Sequence, residues 1–210
     1  MRSLEALPEN TLPPPPDTSL DEPVALPRPR LQKRRIVREI IETALLFIII
    51  FTLVNLLTGR FVVDGSSMAP NFATGQFLIA SRISYLLGEP QRGDVVVFHS
   101  PEDGGKDLIK RIIGLPGDTI EVSGGQVTVN GIVLDEPYIN AQPRYSDQLT
   151  LNAGEYYVLG DNRNNSRDSH SFGSVPAQNL IGQAWVIYWP PQNWGLVPHY
   201  EHDVAPSMGS

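Results

Sequence analysis

The sequence predicts a mainly β protein, an antiparallel, barrel-like β-sheet domain behind one N-terminal transmembrane helix. Three observations predict it. Thr43 to Gly59 carries no charged residue. Short apolar runs bounded by Gly and Pro follow as far as Tyr188. Ser123-Gly124-Gly125 and Asn130-Gly131 stand between such runs, as hairpin turns do.

The helix comes first. Thr43 to Gly59 spans about 25 Å at ~1.5 Å per residue. Ile40 and Ile41 extend it toward the ~30 Å hydrocarbon core. A core helix would show a polar face, and this segment is apolar all round. A cleavable leader would end in a small-x-small site, and Gly59-Arg60-Phe61-Val62 is not one. We assign the helix to residues 39–59. Arg28, Arg30, Lys33, Arg34, Arg35 and Arg38 precede it. A basic flank stays on the cytoplasmic side, so the chain beyond Gly59 is expected to cross to the translocated side. Upstream, Pro8, Pro13 to Pro16, Pro23 and Pro27 stand among few large apolar residues. Residues 1–38 therefore read as a disordered Pro-rich tail with a basic cluster.

The β domain is assigned to residues 60–198, with a flexible C-terminus at 199–210. Its expected strands include Phe77 to Ala80, Asp94 to Phe98 and Leu108 to Ile113. Thr119 to Val122, Gln126 to Val129 and Ile132 to Leu134 form two successive hairpins. Tyr156 to Leu159 and Gln183 to Tyr188 close the set. Ser81 to Leu87 reads as one helical turn or two. Many short strands with Gly/Pro turns argue for a barrel-like architecture. Trp185, inside an alternating strand, is expected in the core, and Trp189 and Trp194 are expected at the surface.

Composition excludes several function classes. The 210 residues suffice for one ordinary domain plus an anchor. The net charge of −7 argues against a nucleic-acid partner. With no cysteine, there is no thiol nucleophile, disulfide or thiolate metal site. The four histidines lack the helical pairing of zinc sites, and none has an obvious carboxylate partner in a motif. No metal or cofactor is expected.

The chemistry centres on Gly65-Ser66-Ser67-Met68-Ala69-Pro70. A Gly that adopts unusual backbone angles and a Pro that fixes its own frame two hydroxyls after a β-prone run. Alone, such a stretch is an ordinary turn. Serine needs a base to become a nucleophile. Lys110 is the candidate, because Leu108, Lys110 and Ile112 share a strand face and Arg111 points to the other. Apolar neighbours push a lysine toward its neutral form, which can take a proton. An edge-strand lysine that discourages aggregation is the competing reading.

Three stretches then act together. They are Gly65 to Pro70, Asp107 to Asp118 with Lys110-Arg111 inside it, and Gly160 to His170. In this order behind a membrane-length run, they resemble the bacterial type I signal peptidases, or leader peptidases, over about residues 36–190. The resemblance implies a membrane-bound endopeptidase that removes N-terminal signal peptides from secreted preproteins by a Ser/Lys dyad. It makes Ser67 the nucleophile and Lys110 the general base. It gives Ser166 the task of orienting the lysine amine through a hydrogen bond. Asp161 and Asp168 become carboxylates that hold the site through ion pairs, Asp161 with Arg111. The Ser67 N–H would receive the oxyanion. Some members add a serine hydroxyl where this chain has Gly65. Other departures are Asn71 and Phe72 where Thr-Leu usually follows the proline, Asn164 where Asp is usual, and His170 where Arg is common. The implied partners are preproteins and membrane lipid. Two alternatives stand beside this reading. One is a dedicated Ser/Lys peptidase with a narrow substrate, the other a catalytically silent membrane-tethered interaction module.

Overall fold

The structure, a computed structural model, describes residues 29–102 and 104–200, with backbone only at 29–32. The expectations for residues 1–28 and 201–210 lie outside the described residues. Two compact units divide between Phe47 and Ile48. The first holds most of helix α1 (Pro29–Leu57), and the second holds its last turns and all the strands.

Helix α1 starts ten residues before the expected boundary at 39 and takes in the basic residues of the flank from Arg30 onward. Pro29 suits the first helical position, where a missing N–H leaves nothing unpaired. Arg38 and Glu42 pair one turn apart at 2.7 Å. The stretch Lys33–Leu57 is long and apolar enough to cross a membrane. The helix ends two residues early because its final carbonyls find other partners. Thr58 Oγ1 donates to the Val54 carbonyl at 2.7 Å, and the Arg82 N–H donates to the Leu57 carbonyl at 2.9 Å.

The chain passes directly into β1 (Thr58–Val62), then β2 (Phe77–Ser81), the single turn α2 (Ser84–Leu87), β3 (Val95–His99) and β4 (Asp107–Gly114). Next come β5 (Thr119–Ser123), β6 (Gln126–Val129), β7 (Ile132–Val133), β8 (Asp147–Thr150) and β9 (Glu155–Leu159). The short α3 (Ser169–Phe172), β10 (Val175–Pro176), β11 (Leu180–Trp189) and β12 (Gly195–Leu196) complete the domain. Among the described residues the strands form two antiparallel sheets. The larger runs β1-β2-β11-β3-β4-β9-β10 with β12 added on β11, and the smaller runs β7-β6-β5-β8. Both expected hairpins are present. Gly124 and Gly125 (φ 58° and 82°) and Asn130 and Gly131 (φ 53° and 80°) take the left-handed angles that two-residue hairpin turns require.

The large sheet curls on itself. Val63, Met68, Phe72 and Leu78, beside β1 and β2, bury with Val95 and Val97 of β3, and Ile109 of β4 packs on the same cluster. Apolar burial of this kind supplies roughly 1.5–3 kcal/mol per large side chain. It draws the β1–β2 connection toward β4 although β11 and β3 lie between them in strand order. A second cluster, around Ile120, Val129 and Tyr157, joins the small sheet to β9. Opposite the first lies a third, of Val96, Phe98, Ile112 and Val158.

Two expectations are corrected here. Trp185 is not core, for 53% of it is exposed. The β2–β11 register shifts between Ala184 and Val186, so Trp185 is the extra residue of a bulge and breaks the inward alternation. The residues at the start of the expected flexible terminus, His199 and Tyr200, are packed: His199 Nδ1 lies 3.4 Å from Asp94 Oδ1, and the rings of Tyr138 and Tyr200 are 5.1 Å apart.

Candidate active site

The serine turn joins β1 to β2. Gly65 has φ +93°, a region that side-chain-bearing residues enter only with strain. That angle suits the glycine found here and would strain a serine in its place. The Ala69 N–H donates to the Ser66 carbonyl at 3.1 Å, and the Phe72 N–H to the Met68 carbonyl at 3.0 Å. Met68 and Phe72 are both buried. Their burial fixes the turn from below, and Ser66 and Ser67 remain accessible on it.

Lys110 arrives from β4. Its backbone lies opposite Val96 in the β3–β4 register, and Arg111 lies opposite Val95. Neighbours in a strand face opposite ways, and the two cations part accordingly. Lys110 Nζ sits 2.7 Å from Ser67 Oγ and donates to the Ile109 carbonyl at 2.9 Å. The lysine is almost wholly buried. Burial is the strongest influence on its amine and lowers its pKa from 10.5 to about 8, against the opposing pull of Asp168 and Asp161. At pH 7 about one such amine in ten is then neutral, compared with fewer than about one in a thousand for a free lysine.

On the far face, Arg111 grips Asp161 through two parallel bonds. Nε reaches Oδ1 and Nη2 reaches Oδ2, both at 2.8 Å, and neither side chain is exposed. Tyr138 stacks under the guanidinium, 4.2 Å from ring centre to Cζ.

The loop after β9 closes the site. The Asn162 N–H donates to the Ser67 carbonyl at 3.0 Å, Asn162 Nδ2 to the Ser66 carbonyl at 3.1 Å, and Asn165 Nδ2 to Ser66 Oγ at 2.9 Å. A Cβ on Gly160 would lie 2.4 Å from the Ser67 carbonyl oxygen and 2.2 Å from Ser166 Oγ, so this approach requires glycine. Asp168 accepts from the Gly160 N–H at 2.8 Å and meets His170 Nδ1 at 2.7 Å. Asn164 bonds the Arg144 N–H and the Gln142 carbonyl. The expected hydrogen bond from Ser166 to Lys110 is not formed. Ser166 Oγ is buried with no hydrogen-bond partner among the described residues.

The structure thus brings Ser67, Lys110, Arg111, Asp161, Asp168 and Gly65 together and leaves Ser166 adjacent but unbonded. Sequence reading missed the roles of Asn162 and Asn165, whose only signal was membership of the same motif. It also found no carboxylate for any histidine, yet His99, His170 and His199 each face an aspartate. The His99 pair comes from strand register, the His199 pair joins distant segments, and the His170 pair is local, two residues apart at the start of α3. The hydroxyl of Ser67 meets Lys110, not an imidazole.

His170 titrates with consequence. Its hydrogen bond to Asp168 is the main cause of a pKa raised above 6.5. A raised folded-state value means that protonation stabilises the fold. The contribution is complete below about 6.5 and is lost as pH rises through the folded value. The difference in Tm between the protein and its His170→Ala variant should be widest near pH 6 or below and should narrow above neutrality. A constant difference from pH 5 to 8 would show that the imidazolium does not contribute.

A groove leads to Ser67. Phe61, Val62, Val63 and Asp64 line it together with Lys106 to Ile109, over Leu78 and Val97. Asp107 to Lys110 pairs with β3 only, because β9 joins β4 from Arg111 onward. One edge of β4 is therefore open beside the serine.

A family model described as "Signal peptidase, peptidase S26" matches residues 36–189. A protein of Synechocystis sp. named "Probable signal peptidase I-2" is 48% identical over 142 residues, which cover 64% of this chain and 65% of that protein. "Signal peptidase IB" of Staphylococcus aureus is 32% identical over 177 residues, or 75% of this chain and 92% of the relative. A crystal structure of a signal peptidase I from Enterococcus faecalis aligns at 35% identity and TM-score 0.42, covering 45% of this chain and 96% of the other. The matched span runs from the apolar helix to the end of β11 and contains the serine turn, the β4 lysine and the loop that closes on them, so the chain belongs to the peptidase S26 signal peptidase family.

Proposed function

We propose that the protein is a membrane-anchored serine endopeptidase that cleaves N-terminal signal peptides from preproteins. The observation that carries this reading is the 2.7 Å approach of buried Lys110 Nζ to Ser67 Oγ. Neutral Lys110 takes the Ser67 proton as Oγ attacks the scissile carbonyl. The Ser67 N–H, which makes no hydrogen bond among the described residues, is aimed to receive the developing oxyanion. The resulting ammonium returns its proton to the leaving amine, and water then releases the acyl chain from Oγ. The substrate lies extended in the groove and adds its backbone to the open edge of β4. A silent module would need no such pair, and a narrow specialist would differ in substrate but not in this chemistry.

The test is the pH dependence of kcat/KM on a soluble peptide. The rate should climb with pH and level off above about 8, where the Lys110 amine is neutral. A profile flat between pH 6 and 9 would exclude a lysine base.

The helix anchors the domain, with its basic flank cytoplasmic and the β domain on the translocated side. The sheet around β2, β11 and β12 rests on the bilayer. Phe77, Trp185, Tyr188, Trp189, Trp194 and Leu196 are exposed there, and the rings of Phe77 and Tyr188 are 5.9 Å apart. Trp and Tyr favour that interface. The three tryptophans of the chain all lie in this stretch, so intrinsic fluorescence reports on this surface alone. Full-length protein in vesicles of brominated phosphatidylcholine should lose most of its tryptophan emission. Undiminished emission would place this face in water.

A further inference from the structure

Resting on the Ser67/Lys110 reading, we propose that Asn71 is a positioning residue that holds the nucleophile turn in register with the lysine strand. Asn71 follows the turn directly. Its Nδ2 uses both hydrogens, one on the Tyr138 carbonyl at 2.8 Å and one on Asp161 Oδ2 at 2.8 Å. Asp161 in turn holds Arg111, which neighbours Lys110 on β4. A closed path therefore joins nucleophile to base: serine turn, Asn71 amide, Asp161 carboxylate, Arg111 guanidinium, β4 backbone.

The other ties reach the turn differently. Asn162 and Asn165 bind the turn to the backbone of the loop after β9, which continues from Asp161, but they do not bond its carboxylate among the described residues. Met68 and Phe72 anchor the turn by apolar packing, which is non-directional and tolerates a slide. Among the described residues on and beside the serine turn, the amide of Asn71 alone hydrogen-bonds the Asp161–Arg111 ion pair itself. The competing account is that Asn71 merely satisfies two buried acceptors. That role would change stability and leave turnover per folded molecule alone. Proton transfer is less forgiving, since a displacement of about 1 Å can cost on the order of a hundredfold.

The experiment measures kcat and KM of full-length protein in detergent, with Asn71→Ala, Asn71→Thr and Ser67→Ala, against a preprotein from pH 6 to 10. Rates are corrected for the folded fraction from thermal melts. Asn71→Ala should lose ~10- to 100-fold in kcat with KM changed by less than about threefold. The loss should persist on the alkaline plateau, where Lys110 is neutral whatever its surroundings. Asn71→Thr keeps one donor for Asp161 and should recover most of the rate. Unchanged kcat in Asn71→Ala overturns the proposal, as does a loss that disappears at alkaline pH. Should Asn71→Ala not fold, Asn71→Leu decides. Leucine keeps the bulk and has no donor for either acceptor, so kcat should fall at constant KM, and an equal kcat overturns the proposal. Full activity in Ser67→Ala would instead defeat the dyad reading itself, so the two failures are distinct.

Discussion

Ser67→Ala and Lys110→Ala should each lose at least ~10⁴-fold in kcat on a preprotein, and the double variant should be little worse than either. The hydroxyl and the amine are one device at 2.7 Å, and half of it does nothing. Lys110→Arg should fail equally, because a guanidinium keeps its proton at any working pH. Ser66→Ala should retain most activity: its hydroxyl accepts from Asn165 on the loop side and does not meet the lysine. All five are compared at equal folded concentration, checked by circular dichroism. Full activity of Ser67→Ala would remove the serine from the reaction, and a dead Ser66→Ala beside it would shift the nucleophile by one residue.

The reasons this site was readable are local. Gly65, Pro70 and the two serines stand within six residues, and Lys110 sits in a run whose alternation survives as β4. Hairpin turns were equally plain, because Asn-Gly and Gly-Gly act through their own backbone angles. What sequence could not supply is pairing at a distance. Asn71 read as a departure from a pattern, and its meaning lies 90 positions away at Asp161. β8 offers one apolar residue, Leu149, among polar ones, too short a pattern to read; it exists because β5 supplies its hydrogen bonds and the second cluster receives Leu149. Trp185 was misplaced because periodicity assumes an unbroken ladder, and a bulge breaks this one. Ser166 was assigned a bond by resemblance, whereas the close approach of Gly160 sets where its hydroxyl lies.

Asp161→Ala should be the most damaging single change to stability, about 3–5 kcal/mol in urea unfolding. Arg111 would remain fully buried, with only the Gly93 and Pro198 carbonyls and its stacked tyrosines to offset an unpaired charge. The exposed pair Arg167–Glu102 provides the contrast. It too measures 2.7 Å, yet solvent screens it, and Glu102→Ala should change stability by less than about 1 kcal/mol. Asp161→Asn keeps the shape and one acceptor and should fall between the two. The informative variant is the pair Asp161→Leu with Arg111→Met. Exchanging a buried ion pair for apolar side chains of similar volume is often neutral or better, so this double variant should regain most of the lost stability. It should not regain the lost turnover. Asn71 would then have no acceptor on the 161 side, and the serine turn would lose the hydrogen bond that ties it to the partner of Arg111. Recovery of both stability and kcat would show that the ion pair only supports the fold, and that packing and the bonds from Asn162 and Asn165 hold Ser67 against Lys110.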